Sequence, residues 1–348
     1  FKNSFKNASI LYLFFEILFG SEQLQMRTYM TEHTLRIGSR KSELALEQTY
    51  IIERLLKEAY PDLKIKIVTS DTLGDKNLIS PLQAFGGKGV FVSELEEALL
   101  NGQIDLAVHS AKDMPAKLEN GLCIAAASKR EYPGDVFLTR KDTDLASFKG
   151  ERFIVGTSSP RRQCFFKEYW KELWESAGTG PAPELFFETL RGNVHTRLKK
   201  LKDGLYDGII LAQAGLARLG ITEGHDLCFY PLDPARFIPA GGQGILAVEA
   251  KEGSPAARLC EKIDMPEAHM CLDAERGVLA YLNAGCHEPI GVYARTEGDK
   301  LILQAAGAVP GSSDPYGGSV KHVCITGSGK KEDIDRMIKK IRKGLGRG

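Results

Sequence analysis

From Thr34 onward the chain alternates short β-like runs with helical stretches, and this alternation restricts it to α/β units built on mostly parallel sheets. Residues 35–38 read as a strand, followed by Arg40, by Ser42 as a helix cap, and by a helix whose apolar Leu44, Ile51, Leu55 and Ala59 recur at helical spacing before Pro61. Residues 65–68 are the next strand. Ser93 and Glu96 form an S-x-x-E capping box ahead of Leu95, Ala98 and Leu99, with Gly102 as terminator. Residues 104–108 then read as a buried strand ending at His109-Ser110-Ala111-Lys112-Asp113-Met114-Pro115.

A second unit of the same kind starts near Arg152. Strand 153–156 leads to Thr157-Ser158-Ser159-Pro160-Arg161-Arg162, where Pro160 suits the first helical position and the serines suit its cap. Strand 185–190 ends in Arg191-Gly192-Asn193 before a basic helix with Arg197, and strand 206–212 precedes a short helix with Arg218. Residues 231–244, rich in proline and glycine, read as a hinge or crossover. After Pro266 come a helix over 267–283, the turn Gly285-Cys286-His287, two β-like runs joined at Glu297-Gly298-Asp299-Lys300, and a helix over 332–345, which together describe a smaller α+β domain with an antiparallel sheet.

A length of 348 residues suits two or three domains. Lys+Arg 46 against Asp+Glu 45 gives no global pull toward nucleic acid or membrane, so selectivity for acidic ligands has to come from local arginine clusters. The seven cysteines show neither CxxC pairs nor zinc-type spacing, which suits a reducing compartment, and no metal site is expected. The chain opens on Phe1. Its apolar stretch 10–19, interrupted by Glu16, is shorter than the roughly 20 residues of a membrane span. Residues 1–33 are set apart as an extension, disordered or foreign to the fold, with targeting left open.

In open α/β sheets ligands lie outside the carboxyl ends of strands. Those loops hold Arg40, Lys112, Asp113, the 157–162 segment, Arg191, Arg197 and Arg218. Helix N-termini beside guanidinium forks make a site for several carboxylates or phosphates. Any one of these arginines taken alone could equally be a solvated surface charge. Asp113 can bind a cationic N–H or move a proton, or can be a turn-forming aspartate before proline. Gly86-Gly87-Lys88-Gly89 lacks the order of a phosphate loop and reads as a glycine lid with Lys88 available to an anion. Cys286, between Gly285 and His287, is either an accessible sulfur for covalent work or an inert cysteine.

Read together, these motifs resemble the porphobilinogen deaminase family. The resemblance rests on Leu35-Arg36-Ile37-Gly38-Ser39-Arg40-Lys41-Ser42, the 86–89 loop, Ala107-Val108-His109-Ser110-Ala111-Lys112-Asp113-Met114-Pro115, Val155-Gly156-Thr157-Ser158-Ser159-Pro160-Arg161-Arg162-Gln163, Leu190-Arg191-Gly192-Asn193-Val194 and Asn283-Ala284-Gly285-Cys286-His287-Glu288-Pro289-Ile290-Gly291. It implies three domains: two like type II periplasmic binding proteins (34–130 with 243–264, and 131–242), and a third, 265–348, carrying a dipyrromethane cofactor on Cys286. It further implies that Asp113, with Lys112, is catalytic, contacting pyrrole nitrogens. Arg40, Arg161, Arg162, Arg191, Arg197 and Arg218 would bind acetate and propionate groups, with Arg40, Arg191, Arg197 and Arg218 also meeting substrate. Ser42, Lys88, Lys112, Thr157, Ser158, Ser159 and Gly192 would add cofactor contacts.

The physical chemistry agrees with that resemblance. Porphobilinogen carries two carboxylates, so a growing oligopyrrole needs many cationic anchors, and bidentate arginine suits them. Loss of ammonia leaves an electron-poor azafulvene whose positive nitrogen calls for a carboxylate such as Asp113. The expected activity is condensation of four porphobilinogens into hydroxymethylbilane, by a cytoplasmic monomer with no nucleic-acid or membrane partner. The chain departs from the family in its N-terminal extension, in a longer and aromatic 167–184 segment, and in His287-Glu288 after the cysteine. A non-catalytic anion-binding protein is the rival reading; a cysteine hydrolase using Cys286 and His287 is poorer, because adjacent residues seldom orient as nucleophile and base.

Overall fold

The computed structural model describes Met26 and residues 28–70, 92–177, 180–222, 224, 226–285, 288–308 and 319–346. The loop 86–89 with Lys88, the pair Cys286-His287 and the apolar stretch 10–19 lie outside the described residues.

Strand β1 (Thr34–Arg40) buries Leu35 and Ile37 completely, the period-two pattern of a strand with one face in the core. Helix α1 (Glu43–Ala59) starts at Ser42, whose hydroxyl accepts from Ala45 N at 3.3 Å. Its most buried side chains are Gln48, Thr49, Ile52 and Leu56, while the expected stripe of Leu44, Ile51, Leu55 and Ala59 is only half-buried. Polar residues can occupy the inner face because each finds a partner there: Thr49 donates to Ser39 Oγ at 2.8 Å, and Gln48 to Ser110 Oγ at 2.8 Å.

After β2 (Lys64–Ser70), helix α2 (Ser93–Leu100) forms where expected but without the capping box. Val92 occupies the N-cap and no side chain caps the helix, because Ser93 already sits inside its first turn. Glu96 turns inward instead, and its Oε1 has no hydrogen-bond partner among the described residues. Strand β3 (Leu106–Ser110) runs into a single 3-10 turn, Ala111–Asp113, and β4 (Leu122–Ala127) follows.

The chain then crosses to a second sheet through β5 (Asp135–Arg140), β6 (Arg152–Gly156), α3 (Pro160–Ala177), β7 (Glu184–Glu188), α4 (Val194–Lys202), β8 (Gly208–Ala212), α5 (Gln213–Arg218) and β9 (Leu227–Pro231). It returns to the first sheet as β10 (Leu246–Lys251), followed by α6 (Pro255–Cys260). The orders are β2-β1-β3-β10-β4 and β7-β6-β8-β5-β9. In the first sheet β10 is antiparallel to both neighbours, and in the second β5 is. Each sheet therefore takes its one reversed strand from the segment that follows a crossing.

The repeat extends to single residues. Asp105, just before β3, accepts from the backbone N of Arg36 in β1 at 2.7 Å, and Asp207, just before β8, accepts from that of Ile154 in β6 at 2.8 Å. The two sheets thus share one topology, with the reversed strand fourth in each order.

The third unit packs α7 (Pro266–Leu282) and α8 (Lys331–Gly344) on the antiparallel sheet β11 (Ile290–Glu297), β12 (Lys300–Ala308) and β13 (Val320–Ser328). Ala274, Val278, Val292, Leu303, Met337 and Ile341 form its core. The strand β13 had no sequence counterpart among the expected runs.

One expectation changes. Met26, Tyr29 and Met30 pack on the core of the first unit, and His33 Nε2 lies 3.1 Å from Asp105 Oδ2, so the end of the extension belongs to the fold. The aromatic 167–184 segment sends its two indoles into the core: Trp170 and Trp174 are buried against Phe153 and Phe148, and their N–H groups donate to Pro183 O and Gly180 O.

Candidate active site

The turn after β3 and the loops at the carboxyl ends of β6 and β8 meet the crossing segments 128–134 and 232–245, through Ala111 N to Ile245 O, Arg161 to Ile238 O and Gln213 N to Gly134 O. The turn after β3 presents Lys112 half-buried and Asp113 exposed. Gly242 makes this approach possible. It holds φ +79°, and a Cβ on it would lie 2.9 Å from Ala111 C and Lys112 N, so only glycine lets the crossover run against the turn.

Arg161 and Arg162 open α3 and point back into the protein, where both are buried. Arg161 donates to Asp135 Oδ2 at 2.6 Å and to Ile238 O at 2.9 Å. Arg162 donates to Asp135 Oδ1 at 2.8 Å and to Ile210 O at 2.8 Å. Asp135, fully buried at the start of β5, thus holds both guanidiniums, and their charges keep its carboxyl well below the usual range. The two arginines are therefore less open than a pair of cleft-lining anchors, yet one donor remains: Arg162 Nε is buried with no partner among the described residues.

Gln243 joins this cluster to the other wall. Its amide N donates to Pro133 O at 2.6 Å and to Asp135 Oδ1 at 3.1 Å, while its carbonyl O stands 3.4 Å from Lys112 Nζ. Burial, with Arg162 and Arg161 close by, pushes the Lys112 ammonium down to about 8 against the pull of Asp113 and Asp135. Arg197, whose Nε donates to Gly192 O at 2.7 Å, is pushed down to about 10 by burial and by Arg162, with Asp113 opposing. Arg218 donates to Gly244 O at 2.6 Å, and burial brings it to about 10. Asp113 itself makes no hydrogen bond or ion pair with a described residue, although its charge reaches Lys112 and Arg197.

The other expected residues serve local structure from the same loops. Thr157 Oγ1 accepts from Ser159 N at 3.2 Å, Ser159 Oγ accepts from Arg162 N at 3.4 Å, and Ser158 donates to Leu190 O at 2.9 Å. Gly192 has φ +114°, and a Cβ there would strike Thr196 at 2.7 Å. Arg40 and Arg191 are half-buried at the ends of β1 and of the β7 loop. Asp135, Gln243 and Gln48 were not anticipated. No spacing or motif marks them, and only their burial reveals them.

The site is thus a cleft where Lys112, Arg161, Arg162, Arg197 and Arg218 outnumber Asp113, Asp135 and Glu131, where burial weakens the charged forms of Lys112, Arg161, Arg197 and Arg218, and where Arg162 Nε–H is orphaned among the described residues and Asp113 is exposed. Such a cavity is completed by a ligand bearing several carboxylates. Among the described residues no group of three His, Cys, Asp or Glu side chains is placed to hold a metal.

The family model for the porphobilinogen deaminase dipyromethane cofactor binding domain matches residues 35–258, and that for the porphobilinogen deaminase C-terminal domain matches residues 269–314. The chain belongs to the porphobilinogen deaminase family. It is accordingly an enzyme, a transferase of tetrapyrrole biosynthesis. The porphobilinogen deaminase of Roseiflexus castenholzii is 42% identical over 298 residues, covering 82% of this chain and 93% of that protein. That of Helicobacter acinonychis is 44% identical over 282 residues, covering 80% and 86%. Among solved structures, the periplasmic VFT2 domain of Bordetella pertussis BvgS is 16% identical, covers 69% of this chain and 91% of that one, and gives a TM-score of 0.39. The cleft fits the dipyrromethane implied by the family, since that group presents acidic side chains on every ring to a cavity short of negative charge.

Proposed function

We propose that this cleft condenses four porphobilinogens, one at a time, onto a dipyrromethane bound covalently through Cys286, releasing ammonia at each addition, and that water then cleaves the tetrapyrrole from the dipyrromethane as hydroxymethylbilane. The observation that supports it most is the exposed carboxylate of Asp113, whose charge reaches both Lys112 and Arg197. When bound, the dipyrromethane supplies the nucleophilic pyrrole carbon and the anchor from which the product grows.

The chain's own residues do the rest. Asp113 accepts a hydrogen bond from the pyrrole N–H of the incoming ring and steadies the positive charge that develops as the carbon–nitrogen bond to the leaving ammonia breaks. It then takes the proton released when the new carbon–carbon bond restores aromaticity. Lys112, with a proton affinity near neutrality, can donate to the departing amine. Arg40, Arg191, Arg197 and Arg218 bind acetate and propionate groups of substrate, and Arg161 and Arg162 those of the cofactor, with Ser42, Lys88, Thr157, Ser158, Ser159 and Gly192 around them. The domains are 34–130 with 243–264, 131–242 and 265–348, in a cytoplasmic monomer.

Intact-mass measurement of the purified protein tests the reading. The wild type carries an adduct of two pyrrole units and colours with an aldehyde reagent; Cys286→Ser carries none. A Cys286→Ser protein that retained full turnover would overturn it.

A further inference from the structure

Lys112 has two carboxylates within reach of its charge, Asp113 beside it in the turn and Asp135 beneath the two arginines. Which one it serves decides whether Asp113 stays available to a pyrrole nitrogen. Between Lys112 and Asp135 stands one neutral side chain, Gln243, 1% exposed on the crossover into β10. Its orientation is fixed by chemistry: Pro133 O and Asp135 Oδ1 can only accept, so the amide N faces them and the carbonyl O faces Lys112 Nζ.

We propose that Gln243 is a positioning residue, whose amide ties the Lys112 ammonium to the Asp135–Arg161–Arg162 cluster and so keeps it from closing over Asp113. The inference rests on the catalytic reading above. Among the described residues, charged groups acting on Lys112 include Asp113 on its own turn, Asp135 on β5, and Arg161 and Arg162 on α3. Because Gln243 lies on a segment that joins the domains, the same amide links the lysine's place to the relative position of the two walls.

Competitive acetylation of Lys112 across pH, read by peptide mass on the cofactor-loaded protein, tests this directly. Gln243→Met keeps the volume but removes the carbonyl that favours the charged amine, so the midpoint for Lys112 falls by about one pH unit. Gln243→Glu places a carboxylate beside the amine, so the midpoint rises by a similar amount. Both variants retain the two-pyrrole adduct, because the arginines remain, while kcat falls at least ten-fold with KM changed less than about three-fold. If Gln243→Met fails to fold, Gln243→Asn serves: it is one methylene too short to span both ends, and its midpoint also falls. Equal midpoints in the wild type and in both variants, or shifts of the same sign, would overturn the inference. An adduct missing from the wild type would instead sink the catalytic reading, and the acetylation midpoints would still decide the role of Gln243.

Discussion

A carboxylate shared by two guanidiniums is stable only while the set is complete, and Asp135 is the member that no neighbour can replace. In Asp135→Asn the buried charges of Arg161 and Arg162 lose their counter-ion, which costs about 3–5 kcal/mol. Urea unfolding of the purified variant measures it, and a loss under 1 kcal/mol would show the pair to be solvated. The pH dependence has the same origin. A folded-state affinity held below the unfolded value contributes stability above the usual aspartate range of about 4, and that stability is lost as the pH falls further. Asp135→Asn should therefore flatten the acid limb of the stability curve. Lys112 has the opposite consequence. Its affinity is depressed to about 8, so the unfolded chain binds the extra proton and the ligand-free protein gains stability as the pH rises from there toward about 10.4. Lys112→Met, made in the Cys286→Ser background, should then melt higher than its parent at pH 7, with an advantage that shrinks across that window. A lower melting temperature at pH 7 would mean that the ammonium is already compensated.

At the scale of elements, a comparable pin holds the third unit. Glu275 of α7 is fully buried, receives Arg130 through two contacts of 2.7 Å, and accepts from Gly242 N at 2.5 Å and Ala294 N at 2.7 Å. Both crossing segments and β11 thus converge on one carboxylate. Glu275→Gln should cost about 3–5 kcal/mol and raise hydrogen exchange in β11 and residues 240–244 before it does so in β1 or β6. Uniform exchange across the molecule would show that the pin is not local. Elements whose signals are short-range were legible in the sequence: the Ser42 cap and Pro160 at the head of α3. The Ser93 box failed because the helix starts one residue earlier, with Val92 at the N-cap and Ser93 inside the first turn, a shift that no local rule fixes. Asp135 and Gln243 were illegible for a different reason. Their partners lie 26 and 27, and 108 to 131, residues away, so burial and pairing, rather than any spacing, give them their part in the site.

For the whole molecule, the balance of Lys+Arg 46 against Asp+Glu 45 conceals a strong local asymmetry. Cations gather where the two sheets present their strand ends, and burial weakens the charged form of Lys112, Arg197 and Arg218 alike. A protein built this way stores electrostatic strain until an anion enters, and an anion that binds only the folded state returns it as stability. At a hundred-fold excess over its dissociation constant such a ligand adds about 2.7 kcal/mol. The Cys286→Ser protein, which should lack the cofactor, is the form in which to see this. Its melting temperature should climb with a polycarboxylate such as mellitate far more than with an equal concentration of acetate, because only the former bridges several guanidiniums at once. Added sodium chloride should erode that gain, since part of it is screened charge attraction. Replacing Arg197 with leucine should reduce it further while leaving the unliganded protein as stable as before or more so, because a cation in an under-neutralised cleft favours binding at the expense of the empty fold. Scanning calorimetry on the two proteins with and without ligand separates these outcomes. Equal responses to mellitate and acetate would mean that the cations act as isolated charges, and the cleft would then lack the collective character on which the capture of an acidic oligopyrrole depends.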